Sequence, residues 1–128
     1  MRISECGLEE MNADEMKKRT RAFALRVIRL VESLPNTKTA DVIGKQLLRC
    51  SMSVGANYRA SCRAKSQADF VAKMGIVEEE ADEAIYWIEI LVESGLIGKD
   101  RVANLLDEAN QIVAIVVTSI KTARGKKD

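Results

Sequence analysis

Four basic residues in the middle of the chain have a spacing suited to binding phosphate groups. If this stretch is a helix, a rotation of about 100° per residue places them in one narrow arc opposite an apolar stripe. They are Lys45, Arg49, Arg59 and Arg63, and we call them the basic ridge. At 1.5 Å per residue the ridge would span roughly 27 Å and could follow several backbone phosphates of RNA or DNA. The alternative is that these residues form only a solvated helix face. The ridge has no aromatic residue that could stack on a base, so it lacks the usual platform for a single strand.

The charges of the whole chain are sorted by segment in the same sense. Residues 17–65 hold 12 Lys and Arg against 2 Asp and Glu, whereas residues 66–94 hold 1 against 8, although the net charge is only +1. Basic residues of the first predicted helix could broaden the ridge: Lys17, Lys18, Arg19, Arg21, Arg26 and Arg29. Because like charges repel, such segregation favours a surface shaped for a partner of opposite sign, either nucleic acid or another copy of the chain.

The acidic segment predicts a surface for self-association. Glu80 and Glu83 fall beside Ile76 and Trp87 on a second, partly apolar side of the third predicted helix, away from its core stripe. A helix that is apolar on two sides usually packs against two things. We therefore expect these four residues at an interface between subunits.

A polar network is predicted between the second and third helices. Asn57 falls at the edge of the apolar stripe, near Ser51, and a buried amide without a partner costs about 1–3 kcal/mol. In a hairpin that turns near residues 65–66, position 51 faces position 80. The expected network is Ser51 and Asn57 with Glu80, and we expect it to fix the helix register and not to perform catalysis.

The composition argues against most enzyme and metal sites. The chain contains no histidine, which removes the commonest general base and the commonest transition-metal ligand. Ser51 and Ser53 have no suitable base to activate them, and the glycines do not form a phosphate-cradling loop. A carboxylate di-metal site of the bundle type would need Glu-x-x-His motifs. We expect no catalytic residues, no metal, no cofactor and no small-molecule substrate.

The pattern of apolar and chain-breaking residues predicts the elements that carry these groups. Apolar positions recur at three- and four-residue spacing, and there is one proline, Pro35, with seven glycines. Four helices are predicted, at about 12–34, 40–64, 67–94 and 100–124. Short joins between them indicate an all-α, single antiparallel up-down-up-down four-helix bundle spanning 1–128 as one domain. No apolar run is long enough for a membrane span and the N-terminus lacks a signal peptide, so we expect a cytoplasmic protein.

Two segments carry a family resemblance, and they are residues 46–60 and 79–91. The chain resembles the bacterial four-helix-bundle proteins encoded in intervening sequences of 23S rRNA genes, which are related to the accessory variability protein of diversity-generating retroelements. The matching motif positions are Gln46, Leu47, Arg49, Ser53, Asn57, Glu80, Glu83 and Trp87. Where many members have an acidic residue, this chain has Arg59. The resemblance implies a ring-like homopentamer with nucleic-acid binding proposed and no established enzymatic activity.

Two functional hypotheses follow from these observations. The first is a non-enzymatic homo-oligomer that binds structured RNA or DNA through backbone phosphates. The second is a protein–protein interaction scaffold in which the acidic and basic helices pair between subunits and neutralise each other.

Overall fold

The computed structural model describes residues 10–125, which form four helices and no strand. They are α1 (Glu10–Glu32), α2 (Lys38–Ser61), α3 (Gln67–Glu93) and α4 (Lys99–Gly125). The predicted all-α, four-helix architecture is confirmed. The expectation about a signal peptide concerns residues 1–9, which lie outside the described part of the chain. None of the described helices has an apolar stretch long enough to cross a membrane.

Contacts between the helices show that neighbours run in opposite directions. A Cβ atom built on Gly44 would lie 3.0 Å from Val31, and one built on Gly55 would lie 3.3 Å from Thr20. As α2 advances, its partner positions on α1 therefore recede, which defines an antiparallel pair. The start of α3 meets the end of α4, where the Gln67 side chain donates a hydrogen bond to the carbonyl of Ala123.

Local capping explains where the helices begin and end. The hydroxyl of Thr37 accepts a hydrogen bond from the backbone N–H of Ala40 at 3.1 Å, so α2 begins at Lys38, two residues before the predicted start. Ser66 caps α3 in the same way through the N–H of Asp69 at 3.0 Å. Gly95 follows α3 with φ of 82°, a conformation that favours glycine.

The core is built from the apolar stripes of all four helices. Its largest fully buried side chains include one or more from each helix: Phe23, Leu47, Tyr58, Phe70, Met74, Ile88, Leu91 and Ile112. Burial of a large apolar side chain contributes about 1.5–3 kcal/mol, so these stripes determine which face of each helix points inward. The charged side chains are left on the outer faces and along the seams between helices.

Candidate functional site

Arg49 lies in the seam between α2 and α3 and not in a free basic ridge. Its guanidinium forms an ion pair with Glu80, 3.3 Å from the carboxylate, and a closer one with Glu83. The hydrogen bond with Glu83 raises the pKa of Arg49. The antiparallel α2–α3 pairing thus brings two carboxylates of the same chain to Arg49, so its predicted contact with phosphate, which stays a prediction, would have to compete with this pairing.

Trp87 completes a compact cluster in this seam. Its indole Nε1 donates a hydrogen bond to Glu83 at 3.0 Å. The hydrogen bonds from Trp87 and then from Arg49 lower the pKa of Glu83. Tyr86 packs edge-on against the Trp87 ring, with centroids 5.0 Å apart. We call Arg49, Glu80, Glu83 and Trp87 the α2–α3 cluster.

The surface around the α2–α3 cluster combines paired charges with exposed apolar residues. Ile76, one helical turn before Glu80 on the same side of α3, is 41% exposed, and Tyr86 is 52% exposed. The four residues predicted at a subunit interface, Ile76, Glu80, Glu83 and Trp87, thus share one side of α3. The structure brings the three polar or aromatic members into direct contact with Arg49 or with each other.

The predicted network of Ser51, Asn57 and Glu80 does not form. The amide of Asn57 instead donates to the carbonyl and the hydroxyl of Ser53, at 2.9 and 2.8 Å, one turn earlier in the same helix. Ser51 is fully buried, and its hydroxyl has no hydrogen-bond partner among the described residues. Six residues correspond to about 120° around a helix, so Ser51 and Asn57 point to different neighbours. Glu80 is engaged by Arg49 instead.

The remaining three residues of the basic ridge differ in how free they are. Lys45 lies 3.3 Å from the Asp41 carboxylate, a highly exposed pair of the kind that contributes little. Arg59 is exposed on α2, and Arg63 is exposed beyond the end of α2 at Ser61. Neither arginine takes part in an ion pair within residues 10–125.

Arg59 instead lines a groove along the seam between α1 and α2. The groove has a volume of about 250 Å³ and is lined by Lys17, Thr20, Arg21, Ala24, Met52, Gly55, Ala56 and Arg59. Lys17 and Arg21 also form no ion pair within the described residues. From the sequence, all the basic residues of α1 were predicted to broaden the ridge. The i, i+4 spacing of Lys17 and Arg21 indicates that these two share a side of α1, but the groove itself depends on how α1 packs against α2.

Arg19 has a structural role, unlike the other basic residues of α1. Its guanidinium donates two hydrogen bonds to Glu108 on α4, at 2.9 and 2.7 Å, and a third to Gln111 at 3.0 Å. The hydrogen bond with Glu108 raises the pKa of Arg19. A second link joins Arg101 of α4 to the hydroxyl of Ser33 at 2.7 Å. These links close the bundle between its first and last helices, which also run in opposite directions.

The described cysteines and acidic residues offer little reactive chemistry. Cys50 and Cys62 are buried and form no disulfide within the described residues, and burial raises the pKa of Cys50 to about 11, so its thiol is protonated at neutral pH. Among residues 10–125, no group of three or more Cys, Asp and Glu side chains is arranged to hold a metal ion.

Comparison with known proteins places these surfaces in a family context. The profile of a family described as 23S rRNA-intervening sequence protein matches residues 13–118. A crystal structure of a protein with unknown function from the S23 ribosomal protein family of Bacteroides thetaiotaomicron VPI-5482 is 32% identical. The match covers 85% of this chain and 97% of that chain, with a TM-score of 0.79. No curated protein matches the chain.

Proposed function

The chain belongs to the 23S rRNA-intervening sequence protein family, and we propose that it is a cytoplasmic, non-enzymatic homo-oligomer that binds structured RNA or DNA through backbone phosphates. The observation that carries this proposal is that the seam between α2 and α3 and the seam between α1 and α2 differ in how their cations are paired. Along α2–α3, Arg49 is neutralised by Glu80 and Glu83. Along α1–α2, the exposed cations Arg21 and Arg59 have no acidic partner among the described residues.

The unneutralised face is suited to a polyanion. Each phosphate neutralised by a Lys or Arg releases condensed counterions, which makes binding favourable and strongly dependent on salt. Arg59 and Arg63 remain as proposed contacts, with Lys45 as a weaker one because Asp41 lies beside it. We no longer propose Arg49 as a phosphate contact. We add Lys17 and Arg21 of α1, which line the same groove as Arg59.

The α2–α3 surface is the better candidate for assembly. Arg49 is already paired with two carboxylates of its own chain, so another subunit could cover it without leaving that guanidinium unpaired, which would be costly. Ile76 and Tyr86 supply exposed apolar area beside the cluster. A pentamer is the copy number that the family resemblance implies, and we propose it for this chain.

The scaffold hypothesis remains the second candidate, in an altered form. Pairing of Arg49 with Glu80 and Glu83 within one chain removes these residues from the charge exchange between subunits that this hypothesis requires. What still favours it is the remaining acidity of α3, where Glu79, Asp82 and Glu89 are exposed. These carboxylates could meet the free cations of a neighbouring subunit.

A titration of fluorescent RNA at several salt concentrations separates the two hypotheses. Native chain and the variant Arg59→Glu/Arg63→Glu are compared, with sedimentation of both in parallel. The RNA-binding hypothesis requires that native chain binds RNA and that this binding weakens steeply with salt. It also requires that the variant loses RNA binding while keeping the oligomeric state of the native chain. If the variant dissociates into monomers and the native chain never binds RNA, the scaffold hypothesis is supported.

A further inference from the structure

We infer that the groove between α1 and α2 binds the backbone of a nucleic acid. Lys17, Arg21 and Arg59 would contact its phosphates, and binding would not depend on the base sequence. The inference rests on the proposed nucleic-acid binding and narrows it to one seam of the bundle. It moves the centre of the binding site from the linear ridge along α2 to a groove shared between two helices.

Helix register places the three cations close together. Thr20 lies opposite Gly55, and α1 and α2 run in opposite directions, so Arg59 is level with residue 16, beside Lys17. Arg21 follows Lys17 by four residues, about 6 Å along the helix axis. Three positive charges therefore border one short stretch of the same groove.

No acidic side chain lines this groove. Like charges packed this closely repel, and within residues 10–125 none of the three forms an ion pair. Arg49 and Arg19, in the neighbouring seams, each have carboxylate partners. An anion from outside the chain would relieve the repulsion in the α1–α2 groove, and successive phosphates of one strand supply several negative charges in a row.

Apart from its three cations, the lining of the groove is small or apolar and offers little that could read a base. These other lining residues are Thr20, Ala24, Met52, Gly55 and Ala56. The Thr20 hydroxyl already donates to the carbonyl of Met16 at 2.9 Å. The lining contains no aromatic ring for stacking and no amide or carboxylate for base edges. The three cations are therefore the groups left to make contacts, and they suit backbone phosphates; a guanine edge is the one base feature that they could also bind, which a duplex of shuffled sequence tests.

The groove also depends on small residues in α2. A Cβ atom on Gly55 would approach the Thr20 hydroxyl to 3.3 Å, so the glycine allows α2 to lie close against α1 at this point. Ala56, which is exposed on the same wall, leaves the groove open. Filling this space while keeping all three cations is therefore a direct test of the site.

The experiment uses the full chain with a fluorescein-labelled RNA duplex and a second duplex of shuffled sequence. One variant removes charge, Lys17→Gln/Arg21→Gln, and is matched by Lys99→Gln/Lys121→Gln, which makes the same charge change at exposed positions of α4. Another variant fills the groove, Ala56→Leu, and is matched by Ala114→Leu on exposed α4. Circular dichroism and sedimentation confirm fold and assembly for each.

We expect the charge variant to lose about two from the slope of log affinity against log salt, roughly one per phosphate contact. At about 0.1 M salt this corresponds to roughly 100-fold weaker binding. Ala56→Leu should weaken binding by about tenfold or more if it displaces even one phosphate. Both α4 controls should lose less, and the two duplexes should bind the native chain equally.

Three results would overturn all or part of the inference. If native chain binds both duplexes but the groove variants bind as tightly as their α4 controls, the groove is not the site, while the proposed function survives. If native chain binds neither duplex, nor a DNA duplex of the same length, even at low salt, both the groove and the proposed function fail. A strong preference for one duplex would exclude recognition through phosphates alone.

Discussion

The close approach of α1 and α2 makes the Gly44→Ala substitution a sensitive test of the packing. In a helix interior, replacing glycine by alanine is intrinsically favourable by about 1 kcal/mol. At Gly44, however, the new Cβ would lie 3.0 Å from Val31 Cγ1 and 3.7 Å from Leu34 Cδ1. Overpacking of this kind typically costs about 1–3 kcal/mol. We expect a net change between zero and about 2 kcal/mol of destabilisation.

Gly75 provides the matched control within the same chain. It also lies inside a long helix, and a Cβ there would meet nothing within 4 Å. Gly75→Ala should therefore show the full intrinsic gain of about 1 kcal/mol. The difference between the two substitutions, about 1–3 kcal/mol, isolates the contact with α1.

The contact partner can be tested by a double-mutant cycle. Val31 is a β-branched residue with essentially one side-chain rotamer in a helix, so it cannot easily swing away from a new methyl group. In a Val31→Ala background the clash disappears, and Gly44→Ala should recover most of its intrinsic gain.

Unfolding in urea, monitored by circular dichroism at one fixed protein concentration, measures all four variants, because assembly would couple to stability. If Gly44→Ala stabilises the native chain as much as Gly75→Ala does, the close α1–α2 packing described here is incorrect. The same conclusion would follow if the Val31→Ala background made no difference.

Three further predictions concern polar groups. Ser51→Ala removes a buried hydroxyl that has no partner among the described residues, so the free energy of unfolding should stay unchanged or rise by about 1 kcal/mol. A decrease of more than about 1 kcal/mol in urea unfolding would mean that the hydroxyl is hydrogen-bonded. Because the hydrogen bonds from Trp87 and Arg49 hold the pKa of Glu83 below its ordinary value, its stabilising charge is fully present above that ordinary value and is lost as pH falls through the lower native pKa. The emission of the single tryptophan, Trp87, should therefore change with a midpoint below the ordinary pKa of a glutamate, and Glu83→Gln should abolish that step; an unchanged titration would contradict the contact. Glu108→Gln should weaken the link from Arg19 and cost about 1 kcal/mol, with faster amide exchange in α1, whereas unchanged exchange would show that the link is dispensable.

Some of the site could be predicted because neighbours along one helix have a fixed geometry. The placement of Ile76, Glu80, Glu83 and Trp87 on one side of α3 follows from three- and four-residue spacing alone. The pairing of Arg49 did not follow, although position 51 was expected opposite position 80. Ser51 and Asn57 were the predicted polar partners of Glu80. The longer arginine side chain instead reaches both carboxylates, and Asn57 bonds within its own helix.

The sequence by itself determined the number of helices, their approximate ends and their buried faces. These properties are local, because they depend on apolar periodicity, caps such as Ser66 and breakers such as Gly95. Only the tertiary structure decided which charges are neutralised and which remain free. Arg49 and Arg59 are alike in sequence terms, yet one meets Glu80 and Glu83 across α3 and the other borders a groove against α1. Ion pairing requires atoms within about 4 Å, and that distance is set by the rotation and register of packed helices. The spacing of residues along one helix does not determine either of them.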